Sequence, residues 1–109
     1  MITPWKVIYY NAAVQQDIFA LPKTLLARYL RLTDLMLKMG PNLGEPHTKY
    51  LGEGLLEIRL KGQEGISRVF YCTIENHKIH ILHSFIKKQQ KIPSKEIKTA
   101  RQRMKEIKK

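Results

Sequence analysis

Three strand-like runs follow one another between Leu55 and Ile86 with only short turns between them. Leu55 to Lys61 alternates, with Leu56, Ile58 and Leu60 on one face and Glu57, Arg59 and Lys61 on the other. A period of two is the mark of a half-buried strand. Gly62-Gln-Glu-Gly65 reads as a turn, and Ile66 to Ile74 is apolar on both faces, as a central strand requires. Glu75-Asn76-His77 turns the chain again and Lys78 to Ile86 forms the next strand. Connections this short permit only antiparallel hairpins, because a parallel crossover needs a dozen or more residues.

The N-terminal half has a different period. Trp5 to Tyr10 is β-branched and aromatic and predicts a first strand. Asn11 can cap a short helix over Ala12 to Ala20, because its side chain can accept from a free N–H of the first turn. Pro22 suits the first turn of a second helix that runs to about Met39. Leu25, Leu26, Tyr29, Leu32, Met36 and Met39 recur at threes and fours and form one apolar stripe. Gly40-Pro41 ends it, and Asn42 to Gly54 reads as loop, broken by Gly44, Pro46, Gly52 and Gly54. Gln89 to Ile92 is a link, and Pro93 opens a last helix with a thin stripe of Ile97, Ala100, Met104 and Ile107. The predicted order is β-α-α-β-β-β-α. Two N-terminal helices must cover one face of a mostly antiparallel sheet, which makes a two-layer α+β fold with a basic C-terminal helix. At 109 residues, the expectation is one domain spanning residues 1–109.

Charge is concentrated at one end. Lys87 to Lys109 holds ten Lys or Arg against two Asp or Glu, +8 of the chain's +11. A clustered positive field of this size favours phosphate polymers and makes their binding salt-sensitive. Solubility or a complex with an acidic partner would also use such charge. Cys72, alone of its kind, excludes an internal disulfide and reads as a small buried filler. No apolar run reaches the roughly 18 residues of a membrane span. The start lacks the charged and apolar regions of a signal peptide, so a cytoplasmic protein with no membrane partner is expected.

Metal and P-loop chemistry find no pattern. His47, His77, His80 and His83 lack carboxylate or Cys partners at ligand spacing, and strand alternation puts His80 and His83 on opposite faces. Gly52-Glu-Gly54 precedes a strand, where a phosphate loop would precede a helix. What remains is cations on strands. Arg68 interrupts the apolar series Ile66, Phe70 and Cys72, so its guanidinium must meet an anion, whether Glu57, Glu64 or a ligand. Arg59 lies on the polar face of its strand. Lys87 continues the face of Ile79, Ile81, His83 and Phe85, and Lys88 continues the other. Hairpins paired in register would bring Arg59, Arg68 and Lys87 together, a geometry suited to holding a phosphodiester during reaction. His47, in the preceding loop, and His83 offer acid/base capacity, because histidine exchanges protons near neutrality. Arg59, Lys87, Lys88 and His47 could instead be solvated surface residues, and Arg68 a structural salt bridge. Tyr50 and Tyr71 could stack on bases or pack in the core.

The motifs His47-Thr-Lys-Tyr-Leu-Gly-Glu-Gly-Leu-Leu-Glu-Ile-Arg59, Ser67-Arg68-Val-Phe-Tyr71 and Ile81-Leu-His-Ser-Phe-Ile-Lys87-Lys88-Gln-Gln-Lys91-Ile-Pro93, followed by Glu96-Ile97 and Ala100, span about half the chain. Together they resemble the RelE/HigB toxin superfamily, in its phage-derived HigB-like branch. The resemblance implies a RelE-like fold and a metal-independent, cofactor-free endoribonuclease, an mRNA interferase acting in the ribosomal A site. There a ribose 2′-OH attacks the adjacent phosphate and leaves a 2′,3′-cyclic phosphate. Residue by residue, the resemblance assigns transition-state and phosphate contacts to Arg59, Arg68 and Lys87, and a looser acid/base role to His47. Lys88, Lys49, Lys91, Lys95 and Arg101 are expected to hold RNA. Several relatives place a Tyr or His at the C-terminal end. Lys105 to Lys109 shows neither, and lysines are expected to substitute electrostatically. Implied partners are mRNA, the 70S ribosome and a helix-turn-helix, HigA-like antitoxin through which operator DNA is reached. The competing expectation is a basic module of phage origin that binds nucleic acid or a partner without cutting.

Overall fold

A computed structural model describes residues 4–74, 76–88 and 91–108. Glu75 of the expected turn and Gln89 and Gln90 of the expected link lie outside the described residues, as do residues 1–3 and 109. The elements are β1 (Lys6–Tyr9), α1 (Ala12–Phe19), α2 (Lys23–Met39), β2 (Thr48–Gly52), β3 (Leu55–Gly62), β4 (Gly65–Cys72), β5 (Lys78–Lys87) and α3 (Ser94–Lys108). One five-stranded sheet has the order β1-β5-β4-β3-β2. The pairs from β2 to β5 are antiparallel, and β1 adds parallel to Lys78–Ile81 of β5.

The mostly antiparallel α+β architecture is the one expected, with one strand more. β2 arises within the segment read as loop. Its five residues end on Gly52 and show no clear alternation, so pairing with β3 rather than local pattern makes it a strand. The start of β2 is held by side chains: Thr48 Oγ1 donates to Asn42 Oδ1 at 2.8 Å and accepts from Gly44 N at 2.8 Å.

α1 begins as the sequence predicts, with Asn11 Oδ1 accepting from Val14 N at 2.8 Å. The stripe of α2 packs Leu25, Tyr29, Leu32 and Met36 onto Ile58, Leu60, Val69, Tyr71, Ile79 and Ile81. Met39, at the end of the stripe, is exposed. On the opposite face, Ala100 and Met104 of α3 pack on Leu55, Phe70, Cys72 and Leu82. Thus α1, α2 and the sheet form the two layers, and α3 covers part of the sheet's other face. The rest of that face is where the charged side chains stand.

A β-bulge decides which residues reach it. Phe70 pairs with His83 but Tyr71 pairs with Ile81, so Leu82 is an extra residue in β5. Before the bulge, Ile79 and Ile81 face α2. After it, His83, Phe85 and Lys87 face the α3 side, with Phe70 and Phe85 stacked at 5.8 Å. Two expectations are corrected as a result. Lys87 does not continue the face of Ile79 and Ile81, and His80 and His83 are not on opposite faces. Strict alternation cannot foresee an inserted residue.

Candidate functional site

The site is built on the half of the sheet that α3 leaves open. Arg59 on β3 lies directly opposite Arg68 on β4, and Arg68 is opposite Phe85 on β5. Lys87 is paired with Ile66, one side-chain step further along the same face. His47 is brought alongside because its carbonyl accepts from Arg59 N at 2.8 Å, which continues the β2–β3 ladder by one residue. A cavity of about 460 Å³ is lined by Arg28, Pro46, His47, Arg59, Leu60, Lys61, Ile66, Arg68 and Lys87. The structure therefore gathers Arg59, Arg68, Lys87 and His47 around one space. Among the described residues, no Asp or Glu lines it.

Like charges directly opposite on a sheet repel, so the Arg59–Arg68 pair needs compensation. It comes from Glu57, two residues before Arg59 on the same face. Glu57 Oε2 stands 3.4 Å from Arg68 Nε, and the residues are 2% and 5% exposed. Of the two carboxylates considered as partners for Arg68, Glu57 is the one used. Glu64 instead turns to the start of α2, where it accepts from Thr24 N and the Thr24 hydroxyl. Burial pushes the Glu57 carboxyl above its ordinary range, opposed by the charges of Arg68, Arg59, Lys49 and Lys87. These four cations therefore act together on one buried point. Burial likewise lowers Arg68, with Glu57 opposing.

Arg59 and Lys87 are half-buried. Arg59 Nη1 reaches Glu45 Oε1 at 3.3 Å, an exposed pair of the kind that contributes little and can exchange for another anion. Lys87 has no carboxylate within ion-pair distance among the described residues. A phosphate entering the cavity thus meets a lysine point charge and an arginine fork, backed by a buried guanidinium already fixed by Glu57.

The remaining expected residues are more dispersed. Lys49 is exposed on β2, opposite Glu57. Lys88 is exposed just beyond β5, Lys91 just before α3, and Lys95 on the first turns of α3. None of these four lines the cavity. Arg101 is engaged within the fold: it donates to the carbonyls of Leu51 and Gly52 at 3.1 and 3.2 Å and ties α3 to the β2–β3 turn. His83 Nε2 lies 2.6 Å from Glu96 Oε1, which also fastens α3 to the sheet, and does not line the cavity. Tyr71 is wholly buried and donates to Pro41 O at 2.6 Å, so it stacks on no base. Tyr50 is 55% exposed, its hydroxyl accepting from Gly54 N. Cys72 is buried, and burial raises its thiol, as befits a filler. Among the described residues no three His, Cys, Asp or Glu are grouped as metal ligands.

Two participants escaped the sequence reading. Arg28 and Lys61 line the cavity. Lys61 shares the polar alternation of Arg59 and could have been added on that ground. Arg28 belongs to a helix far away in sequence and carries no local signal.

This geometry can be set beside known proteins. A double arginine-to-alanine mutant of the E. coli toxin RelE, solved in the free state, superposes with a TM-score of 0.62 over 88% of this chain and 97% of that one, at 11% identity. At that identity the likeness concerns the fold, which is RelE-like. No curated protein sequence matches the chain. A family model described as phage-derived protein Gp49-like matches residues 16–105, which include α2, every strand from β2 to β5 and most of α3. The chain is a member of the phage-derived Gp49-like family.

Proposed function

We propose that the chain is the toxin of a type II toxin–antitoxin system, of the HigB-like branch, acting in the cytoplasm as a single domain that cleaves mRNA on the ribosome. The observation that carries the proposal is the gathering of Arg59, Arg68, Lys87 and His47 around a cavity that, among the described residues, no Asp or Glu lines. The RelE-like fold supports it. The reaction suited to these groups is attack of a ribose 2′-OH on the adjacent phosphate, giving a 2′,3′-cyclic phosphate and a free 5′-OH. Lys87 and Arg59 hold the charge that grows on the phosphorane oxygens, where preorganised cations act most strongly. Arg68 supplies a fixed field behind them. His47 moves a proton at the attacking or leaving oxygen. Lys49, Lys88, Lys91 and Lys95 are placed to hold the RNA backbone without touching the reacting phosphate. A helix-turn-helix antitoxin would neutralise the charge and carry the toxin to operator DNA.

Induction of the chain in bacteria tests the reading. Native protein should arrest growth, and Lys87→Ala or Arg59→Ala should each relieve the arrest at equal protein level. Arrest undiminished in both variants would remove the cavity from the mechanism. The alternative, a basic module that binds without cutting, draws on the +11 charge. It would leave RNA intact in both native and variant cells.

A further inference from the structure

The cations do not stop at the cavity. A second depression of about 370 Å³ lies between α2 and the β3–β4 turn and shares Arg28 and Lys61 with the first. Thr24, Ala27, Arg31 and Gln63 complete its lining, and Gly62 contributes no side chain to fill it. Arg28 and Arg31 are three residues apart on α2, which puts them on one face with a rise of about 4.5 Å between them.

These charges have no structural employment. Among the described residues Arg28, Arg31 and Lys61 have no carboxylate within ion-pair distance. Glu64, within this turn, is engaged by Thr24 at the border of the depression and not by the three cations. There its bonds from the Thr24 hydroxyl and N–H hold its charge in place and lower its pKa. Neighbouring like charges along a helix cost stability. Three of them bordering one groove, continuous with a cation-lined cavity, therefore point outward to an anionic ligand.

We propose that this groove is a second RNA-binding subsite, in which single-stranded RNA leaving the cavity lays successive phosphates along Arg28, Lys61 and Arg31. The inference rests on the cavity's holding a phosphate of the same RNA strand. A single strand offers a phosphate at every nucleotide, so a row of arginine forks can each meet two oxygens of successive phosphates. The amide of Gln63, an exposed lining residue, can meet a ribose or a base edge.

The test uses the full chain and RNA with 2′-O-methyl groups throughout, which cannot be cleaved, so the outcome is independent of nuclease activity. Arg31→Gln alters an exposed residue outside the cavity. Removing one phosphate contact should flatten the salt dependence of single-strand binding by about 0.7 in log–log slope and weaken a long oligomer about fivefold at ~0.1 M salt. Binding of a trinucleotide should be unchanged. Unchanged affinity and slope for the long oligomer would overturn the groove. So would an equal loss for the trinucleotide, which would mean that Arg31 acts through the cavity. So would polyglutamate bound as tightly as RNA and weakened equally, which would assign the groove to an acidic protein. If the groove result holds and native protein cleaves no message, the nuclease reading falls and the subsite stands.

Discussion

Arg68 and Glu57 form an ion pair within the sheet face that carries the cavity, with Nε and Oε2 3.4 Å apart and both residues almost wholly buried. Its two members differ in what their loss does. A guanidinium keeps its charge whatever its surroundings, whereas Glu57, whose carboxyl burial raises, can take up a proton when its partner is lost. Glu57→Gln leaves Arg68 charged and without its anion in the interior, opposite Arg59, and should cost about 3–5 kcal/mol. Arg68→Ala strands a carboxylate in the interior and should cost about 1–3 kcal/mol. Denaturant unfolding of the two variants checks the asymmetry, and equal losses would contradict it. Growth relief by Arg68→Ala is correspondingly a poor test of chemistry.

The same pair sets a pH dependence. Between the ordinary carboxylate range and the raised native value, folded Glu57 holds a proton that the unfolded chain has lost. Stability from this residue therefore rises as pH falls through that window and is lost as pH rises out of it. The native protein's Tm should gain on that of Glu57→Gln when the pH is lowered from neutrality toward 5, and the deficit of Arg68→Ala should shrink. A gap that moves the other way would show that Glu57 is not raised.

Gly62 fixes how closely α2 approaches the β3–β4 turn. A Cβ there would collide with Thr24 Oγ1 and lie 3.1 Å from Thr24 Cβ and 3.2 Å from Leu25 Cδ2. Thr24 cannot easily withdraw, since its hydroxyl accepts from Gln63 N at 2.9 Å and donates to Glu64. Gly62→Ala should destabilise by about 1–3 kcal/mol. A melting temperature equal to native would contradict the contact.

His83 and Glu96 hold α3 against the sheet together with Arg103, which donates to Leu82 O at 2.8 Å. His83→Ala should loosen α3 by about 1 kcal/mol. Amide exchange over Ser94–Lys108 should then quicken about fivefold while β3 and β4 stay protected. Unchanged exchange in α3 would assign its docking to Ala100 and Met104 alone.

Much of this could be read from sequence where a local period reports burial. The alternation of Leu56, Ile58 and Leu60 against Glu57, Arg59 and Lys61 was enough to place Arg59 on the open face. The α3 stripe of Ile97, Ala100, Met104 and Ile107 likewise packs as its spacing suggests. Three features depended on tertiary pairing. β2 is a strand because β3 is beside it, the bulge at Leu82 turns Lys87 to the site, and Arg28 reaches the cavity from a helix some thirty residues away in sequence from Arg59. The charge-rich C-terminal segment divides accordingly. Lys87 belongs to the cavity. Lys95 stands on an exposed surface, where Lys95→Ala should weaken RNA binding modestly and flatten its salt dependence with no selective loss of turnover.

The most direct test maps RNA 5′ ends in cells after induction of the native chain, with Lys87→Ala alongside. New 5′-hydroxyl ends inside translated reading frames, present with the native chain and absent with Lys87→Ala at equal expression, are the predicted result. Growth arrest without new ends inside reading frames would contradict an mRNA endonuclease built on Arg59, Arg68 and Lys87.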